Sequence, residues 1–154
     1  MGEHMPHTYS SILIHFVFST FKRKRMIKKR FEKRLYSYIS GIANHNNSKV
    51  IAINSTEDHI HMLLSIHCNT NISRIVQLIK GKSSHWINDN FYNNKIFQWQ
   101  AGYGAFSIGH KEKNSVVKYI HNQKNHHKKI TFEDEYILLL EMHNIKYDLK
   151  YLFG

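Results

Sequence analysis

The sequence has little cysteine, proline or acid: one cysteine, one proline and 11 Asp or Glu among 154 residues. The lone cysteine, Cys68, excludes an internal disulfide and a cysteine-based zinc cage within one chain, and it fits a reducing compartment. No run of about 20 apolar residues is present, so no membrane-spanning helix is predicted. The N-terminus lacks the apolar segment of a secretory signal. We therefore expect a cytoplasmic protein without a membrane partner.

The charge balance is strongly basic. Lys and Arg number 22, which gives a formal net charge of +11, and 13 histidines are present besides. This excess favours a polyanionic partner, most often nucleic acid, although a basic surface without a specific partner is the alternative. The length suits one folded domain with a real core. We assign residues 1–7 to an N-terminal tail, in part a cloning remnant, and residues 8–154 to a single domain.

Apolar periodicity predicts an α+β fold in which helices pack on an antiparallel sheet. The expected order is strand, helix, two strands, helix, strand, helix, helix. Strands are predicted at residues 11–18, 50–53 and 60–66, with a short one late in 97–108, and the turn formers NSTED make the second and third a hairpin. Helices are predicted at residues 21–42, 69–91 and 114–123, and from residue 131, where TFED resembles a capping box.

The segment TEDHIHML, residues 56–63, places two histidines in an apolar strand. Residues two apart point to the same face of a strand, so His59 and His61 share one face while Ile60 and Met62 share the other. Two imidazoles on one face can bind one divalent metal from one side. Among 13 histidines a chance pair that is merely packed or solvated is the alternative. A metal site would need a third ligand from elsewhere.

The segment VVKYIHNQKNHH, residues 116–127, offers that ligand beside a nucleophile. On a helix Tyr119 and Gln123 lie at i and i+4, on one face. A tyrosine can attack as a nucleophile when a metal activates its substrate, and the amide oxygen of glutamine can bind a metal. The alternative for Tyr119 is a core or rim aromatic.

These two segments together resemble a known family. His59-Ile60-His61 is similar to the His-hydrophobic-His signature of the HUH nucleases. The stretch from Tyr119 to Gln123 resembles the catalytic tyrosine and trailing glutamine of the single-tyrosine HUH transposases, which belong to bacterial insertion sequences that move as single-stranded DNA, and of their REP-associated relatives. The stretches HFVFST, IKGKSSHWIN and WQAGYGAFSIGHKEKNSVVKYIHNQ fit as well, so the likeness covers roughly residues 8–152.

The resemblance implies a fold, a reaction and partners. The fold would be ferredoxin-like or RRM-like. Tyr119 would attack the scissile phosphate of single-stranded DNA at a mobile-element end and form a 5'-phosphotyrosine, while His59, His61 and Gln123 would hold a divalent ion, Mg²⁺ or Mn²⁺. The protein would be a homodimer, with the tyrosine helix able to act in trans, and would work in the bacterial cytoplasm at the nucleoid. The DNA ends would fold as hairpins, whose expected contacts are Lys22, Arg23, Lys24 and Arg25.

Other polar residues near these motifs receive secondary interpretations. Asp58 is interpreted as an outer partner of His59 from the turn. His15 is interpreted as a packed core histidine, with a position facing the metal pocket as the alternative. The histidines that follow the tyrosine have no counterpart in the family pattern and are expected to be solvated or DNA-facing: His121, His126 and His127.

Two related functions remain as alternatives to a transposase. One is a domesticated nuclease specific for hairpins in single-stranded DNA, and the other is a non-catalytic hairpin-binding protein of the same fold. A structural zinc protein is disfavoured because the chain has one cysteine and no obvious fourth ligand.

Overall fold

A computed structural model describes residues 7–153, so most of the predicted tail at residues 1–7 lies outside the described residues, as does Gly154. The strands are β1 (Leu13–Ser19), β2 (Ser48–Ser55), β3 (His59–Ile66) and β4 (Gly104–Ile108). The helices are α1 (Glu32–His45), α2 (Ile72–Phe91), α3 (Lys113–His121), α4 (Gln123–His126), α5 (Phe132–Met142) and α6 (Leu149–Leu152). None of the helices within residues 7–153 is long and apolar enough to cross a membrane.

The four strands form one antiparallel sheet in the order β2-β3-β1-β4. The hairpin predicted around NSTED joins β2 to β3, and the short strand predicted late in residues 97–108 is β4. The register pairs Val17 of β1 and Asn54 of β2 with His61 of β3. The predicted α+β class with an antiparallel sheet is confirmed, and the histidine strand lies inside the sheet rather than at an edge.

The two faces of the sheet are covered by different helices. One face packs against α1 and α2 and contributes fully buried side chains such as Phe16, Phe18, Ile60 and Met62. The opposite face carries His15, Val17, His59, His61 and Leu63, and it is covered by α3 and α5. The alternation predicted for the histidine strand is confirmed, because Ile60, Met62 and Leu64 all belong to the main apolar core.

The basic segment departs from the predicted helix. Residues 21–23 form a short 3₁₀ turn, in which Lys22 and Arg23 have φ values of 55° and 54°, and α1 begins only at Glu32. Seven Lys or Arg at residues 22–30 would repel one another on a helix. The backbone N–H groups of Met26 and Ile27 instead donate to the carbonyl of Glu57, at 3.0 and 2.9 Å. The buried Ile27 side chain then helps to fix this segment as an irregular connection beside the turn between β2 and β3.

The helix predicted at residues 114–123 is interrupted. α3 ends at His121, Asn122 has φ −92° and ψ 9°, and the four-residue α4 begins at Gln123. Tyr119 and Gln123 are therefore carried by two helices separated by a kink, and not by one continuous helix face as predicted.

Candidate active site

His59 and His61 stand fully buried on the polar face of β3, with ring centroids 5.2 Å apart. The Nδ1 atom of each ring has a partner outside the site. His59 Nδ1 lies 2.6 Å from Asp58 Oδ1 and 2.8 Å from Thr56 Oγ1, and His61 Nδ1 lies 2.8 Å from His15 Nε2. These contacts fix both rings with Nε2 directed into the site, an arrangement typical of metal-binding histidines.

Burial keeps His61 and its partner His15 neutral. Burial lowers the pKa of His61 to about 4, and burial together with the neighbouring His61 lowers the pKa of His15 to about 3. Neutral imidazole is the form that binds a metal. His15 is buried, as interpreted, but it faces His61 and not an apolar core. Asp58 occupies the outer position interpreted for it, where the hydrogen bond with His59 lowers its pKa although burial alone would raise it.

Glu135 of α5 lies at the centre of the site and was not singled out from the sequence. This residue is 1% exposed, and its Oε1 lies 2.9 Å from His61 Nε2, 2.9 Å from His127 Nε2 and 3.5 Å from His59 Nε2. Burial alone would raise the pKa of Glu135, but the hydrogen bonds with His127 and His61 hold it well below the usual range. The carboxylate is therefore ionised and satisfies several ring nitrogens at once.

The nucleophile candidate reaches the same carboxylate. Tyr119, on α3, is half-buried, and its hydroxyl donates a hydrogen bond to Glu135 Oε2. Burial and the adjacent negative charge of Glu135 raise the pKa of Tyr119. The buried Gln123 donates from Nε2 to Glu135 Oε2 at 3.1 Å, and its Oε1 lies 3.3 Å from His59 Nε2. The four residues predicted as nucleophile and ligands thus lie together, around an acid that was not predicted.

The histidines after the tyrosine divide into three cases. His121 is exposed, as expected. His126 is half-exposed, with Nε2 3.4 Å from Glu135 Oε2. His127 was expected to be solvated or DNA-facing, and the solvated alternative is wrong, because its side chain is 9% exposed and its ring centroid is 4.1 Å from that of His59. The sequence signal for this cluster was Glu135 itself, a charged residue on the apolar face of a helix between Phe132 and Tyr136.

The donor set suits a divalent metal. One ligand atom from each of His59, His61, His127 and Glu135 lies within 4.8 Å of the others, and the Gln123 oxygen adjoins them. Three imidazoles with oxygen donors suit Mn²⁺ or Zn²⁺ better than Mg²⁺, which prefers oxygen. A structural zinc protein was disfavoured partly because no fourth ligand was obvious in the sequence. In the folded chain His127 and Glu135 supply further ligand atoms, so that part of the expectation is wrong.

The four predicted DNA contacts differ in their surroundings. Lys22, Lys24 and Arg25 are exposed. Arg23 already has contacts within the chain. Its Nη1 donates to the backbone carbonyl of Phe153 at 3.1 Å, and its guanidinium lies 5.2 Å from the centroid of the Phe153 ring. Arg23, Arg25 and His127 all line one cleft of about 870 Å³, so part of the basic segment and one histidine of the site share this cleft.

Comparison with known proteins gives consistent relatives. Residues 8–123 match the family model described as "Transposase IS200 like". The chain is 28% identical over 131 residues to the transposase for insertion sequence element IS200 of Salmonella typhimurium, a match that covers 80% of this chain and 85% of the relative. The Salmonella typhi IS200 transposase matches to the same extent.

Two solved structures share the fold. A Deinococcus radiodurans r1 protein assigned as a transposase has a TM-score of 0.64 at 21% identity, over 80% of this chain and 98% of that one. The REP-associated tyrosine transposase bound to a REP hairpin has a TM-score of 0.63 at 17% identity, over 84% of this chain and 76% of that one. At these identities the likeness shows the fold alone.

Proposed function

Because the chain belongs to the IS200-like family of transposases, which are DNA-cleaving enzymes, we propose that it cuts and rejoins single-stranded DNA at mobile-element ends through Tyr119. One observation carries this proposal. The Tyr119 hydroxyl lies in the same buried cluster as His59, His61 and Gln123, so a tyrosine and a potential metal site face one reaction centre. A core or rim tyrosine would need none of these polar neighbours.

In the proposed reaction the Tyr119 oxygen attacks the scissile phosphorus. A bond forms from Tyr119 Oη to phosphorus and the bond from phosphorus to the 3'-oxygen breaks, which gives a 5'-phosphotyrosine and a free 3'-OH. The tyrosine proton leaves as this bond forms, and the leaving oxygen takes up a proton. Glu135 Oε2, which accepts the Tyr119 hydrogen bond, orients the hydroxyl. The phosphotyrosine conserves the ester for rejoining, so no external energy source is required.

We propose His59, His61 and Gln123 as ligands of a divalent ion, Mg²⁺ or Mn²⁺, of which the three imidazoles favour Mn²⁺, and add Glu135 and His127 from their positions around the same point. When bound, the ion would polarise the phosphate oxygens and orient the leaving group. The chain itself supplies imidazoles that are held from behind by Asp58, Thr56 and His15. It also keeps this centre almost free of solvent, which strengthens every electrostatic contact within it.

The proposed partners are hairpin-ended single-stranded DNA and a second copy of the chain. One chain has one nucleophile of this kind, and exchange of two strands needs two. In the structure Tyr119 lies beside the histidines of its own chain, so an arrangement in trans would require α3 to leave this position. Lys22, Arg23, Lys24 and Arg25 are proposed as DNA contacts, and the action is placed at the nucleoid in the bacterial cytoplasm. A solved relative of this fold is bound to a REP hairpin, which supports a hairpin ligand.

The second candidate function is a domesticated nuclease that acts on repeated hairpins, and the hairpin in the solved structure of the REP-associated tyrosine transposase is a ligand of that kind. A gene that lies alone beside scattered repeats would favour it, whereas a gene between subterminal hairpins of one element favours the transposase. A non-catalytic hairpin-binding protein is less consistent with the site, because it has no use for a half-buried tyrosine beside a buried carboxylate and three histidines.

A denaturing gel tests the proposed function. The protein is incubated with single-stranded DNA from the flanks of its own gene and Mn²⁺ or Mg²⁺, and the expected result is a protein band shifted by attached DNA. Tyr119→Phe should abolish the shift and retain hairpin binding. Tyr38→Phe, which removes the hydroxyl of a half-buried tyrosine stacked on Trp86, is the matched control and should keep the shift. A shift that survives in Tyr119→Phe would exclude Tyr119 as the nucleophile.

A further inference from the structure

The kink between α3 and α4 is held by the side chain of Asn54. The last carbonyls of a helix have no partner within the helix. At the end of α3 the carbonyls of Ile120 and His121 both accept hydrogen bonds from Asn54 Nδ2, at 3.0 and 3.1 Å. Asn54 lies on β2 and is paired in register with His61, so it stands next to the histidine site without belonging to it. The end of the tyrosine helix is thus fixed to the sheet that carries the histidines.

The same side chain is also bonded to the other side of the kink. Lys124, the residue after Gln123, donates from Nζ to Asn54 Oδ1 at 3.0 Å and to the Ser55 carbonyl at 3.1 Å, and lies 3.2 Å from Glu32 Oε1. The orientation of the amide follows from its partners, because backbone carbonyls only accept and the lysine ammonium only donates. The Nδ2 end of Asn54 is therefore bonded toward α3, and its Oδ1 is bonded toward α4 through Lys124 while it also accepts from the Tyr36 hydroxyl at 3.2 Å and the Ser55 N–H at 3.0 Å.

We propose that Asn54 is a positioning residue, which acts with Lys124 to set Tyr119 and Gln123 against the histidines. Tyr119 precedes the kink and Gln123 follows it, so the angle at Asn122 decides whether both reach the site. A displacement of about 1 Å in a reacting group can cost on the order of 100-fold in rate. The role rests on the proposed function, since strand cleavage is the reaction that this geometry would serve.

Asn54→Asp separates the two roles of the side chain. The substitution keeps the size of the side chain and the oxygen that accepts from Lys124, but it replaces the donor to the two α3 carbonyls with an oxygen. We expect amide hydrogen exchange in residues 113–121 to become at least tenfold faster. The first-order rate of covalent DNA attachment, at saturating DNA and Mn²⁺, should fall at least tenfold, while the Kd for hairpin DNA changes less than twofold.

Asn46→Asp is the matched control. Asn46 Nδ2 donates to the Ile42 carbonyl at 2.7 Å, the same kind of bond at the end of α1 and remote from Tyr119. Its loss should speed exchange at the end of α1 and leave the attachment rate unchanged. Lys124→Met, at a side chain that is 47% exposed, removes the other half of the interaction and serves if Asn54→Asp does not fold.

The exchange and rate measurements test separate parts of the proposal. Unchanged exchange in residues 113–121 for both Asn54→Asp and Lys124→Met would overturn the inference that this pair holds the kink. Faster exchange with an unchanged attachment rate would overturn the positioning role. A protein that attaches no DNA even without substitution would instead contradict the proposed function, and the exchange data would still decide whether the kink is held by Asn54.

Discussion

The two faces of the sheet differ in chemistry although one strand supplies both. Ile60, Met62 and Leu64 of β3 pack in an apolar core against α1 and α2. The alternate residues His59 and His61 point to the other face, where they contact a carboxylate and further imidazoles under α3 and α5. Burial stabilises the first face through the hydrophobic effect. On the second face burial is costly unless each polar group has a partner. Adjacent residues therefore differ in what their loss would remove, stability on one face and chemistry on the other.

The neighbouring residues His61 and Met62 give the sharpest test of this difference. His61→Ala should abolish metal-dependent DNA attachment while the protein stays folded, because it removes a proposed ligand. Met62→Ala should lower the free energy of unfolding by about 2–5 kcal/mol through a cavity in the main core, yet retain attachment at temperatures where it is folded. Urea unfolding and the denaturing gel measure the two effects. Attachment by His61→Ala, or in the presence of EDTA, would remove the metal from the mechanism.

Glu135→Gln tests whether the central carboxylate belongs to the metal site. We expect Mn²⁺ affinity, measured by calorimetry, to fall by about 10- to 100-fold, the range seen when an important metal-site partner is lost. Glu133→Gln changes an exposed acid on the same helix and is the control. Equal affinities in both variants would exclude Glu135 as a ligand, even if His61→Ala still loses the ion.

Acid should weaken the polar face and not the apolar one. The pKa of His61 is lowered to about 4 and that of His15 to about 3. Between pH 6.5 and 4 these two rings therefore bind protons in the unfolded chain and stay neutral in the folded chain. The metal-free protein should therefore lose stability as the pH falls through this window, by up to about 1.4 kcal/mol per pH unit for each histidine. Below the unfolded pKa of a carboxyl group, protonation of Glu135 in the unfolded chain adds to the same loss.

The expected pH slope can be attributed by substitution. His15→Gln should reduce the slope of the unfolding free energy against pH, because about one proton fewer is bound on unfolding. Urea unfolding in EDTA measures this slope. His85→Gln, at a side chain that is 76% exposed, should leave it unchanged. If His15→Gln kept the full slope, the polar face would not be the acid-sensitive one.

The smallest expected effect concerns the basic segment beside the site. Arg25→Ala should weaken single-stranded DNA binding and reduce the slope of log K against log salt by about 1, since one phosphate contact releases about one counterion. Arg23→Ala should change the slope less, because that guanidinium already contacts Phe153. A flat salt response in the unaltered protein would remove both residues from the DNA contacts.

The sequence predicted the sheet better than it predicted the site. The alternation of His59, Ile60, His61 and Met62 is a local property of a strand, so the two faces of β3 could be derived from period alone. The family pattern supplied Tyr119 and Gln123. Glu135 was not predicted, because the sequence from residue 131 was interpreted only as the start of a helix. The signal for it was a charged residue on the apolar face of that helix.

Two further features depend on contacts distant in sequence. The kink at Asn122 contains no proline or glycine that would predict it. The hydrogen bonds that hold it come from Asn54 on β2, which is separated from the kink in sequence by β3, α2 and β4. The residues of the basic segment have high helix propensity, but the backbone N–H groups of Met26 and Ile27 donate hydrogen bonds to the carbonyl of Glu57 instead of forming a helix. Local propensity could not predict either, since the deciding bond in each case is tertiary.

The main apolar core has a consequence for the order in which the molecule forms during synthesis. Its buried members within the described residues lie between Ile14 and Trp99, so the hydrocarbon face can be complete once Trp99 has left the ribosome. Tyr119, Gln123 and Glu135 emerge afterwards. A nascent chain would thus gain a stable scaffold with paired histidines before it gains the proposed nucleophile, and the proposed cleavage would become possible only after Glu135 has emerged.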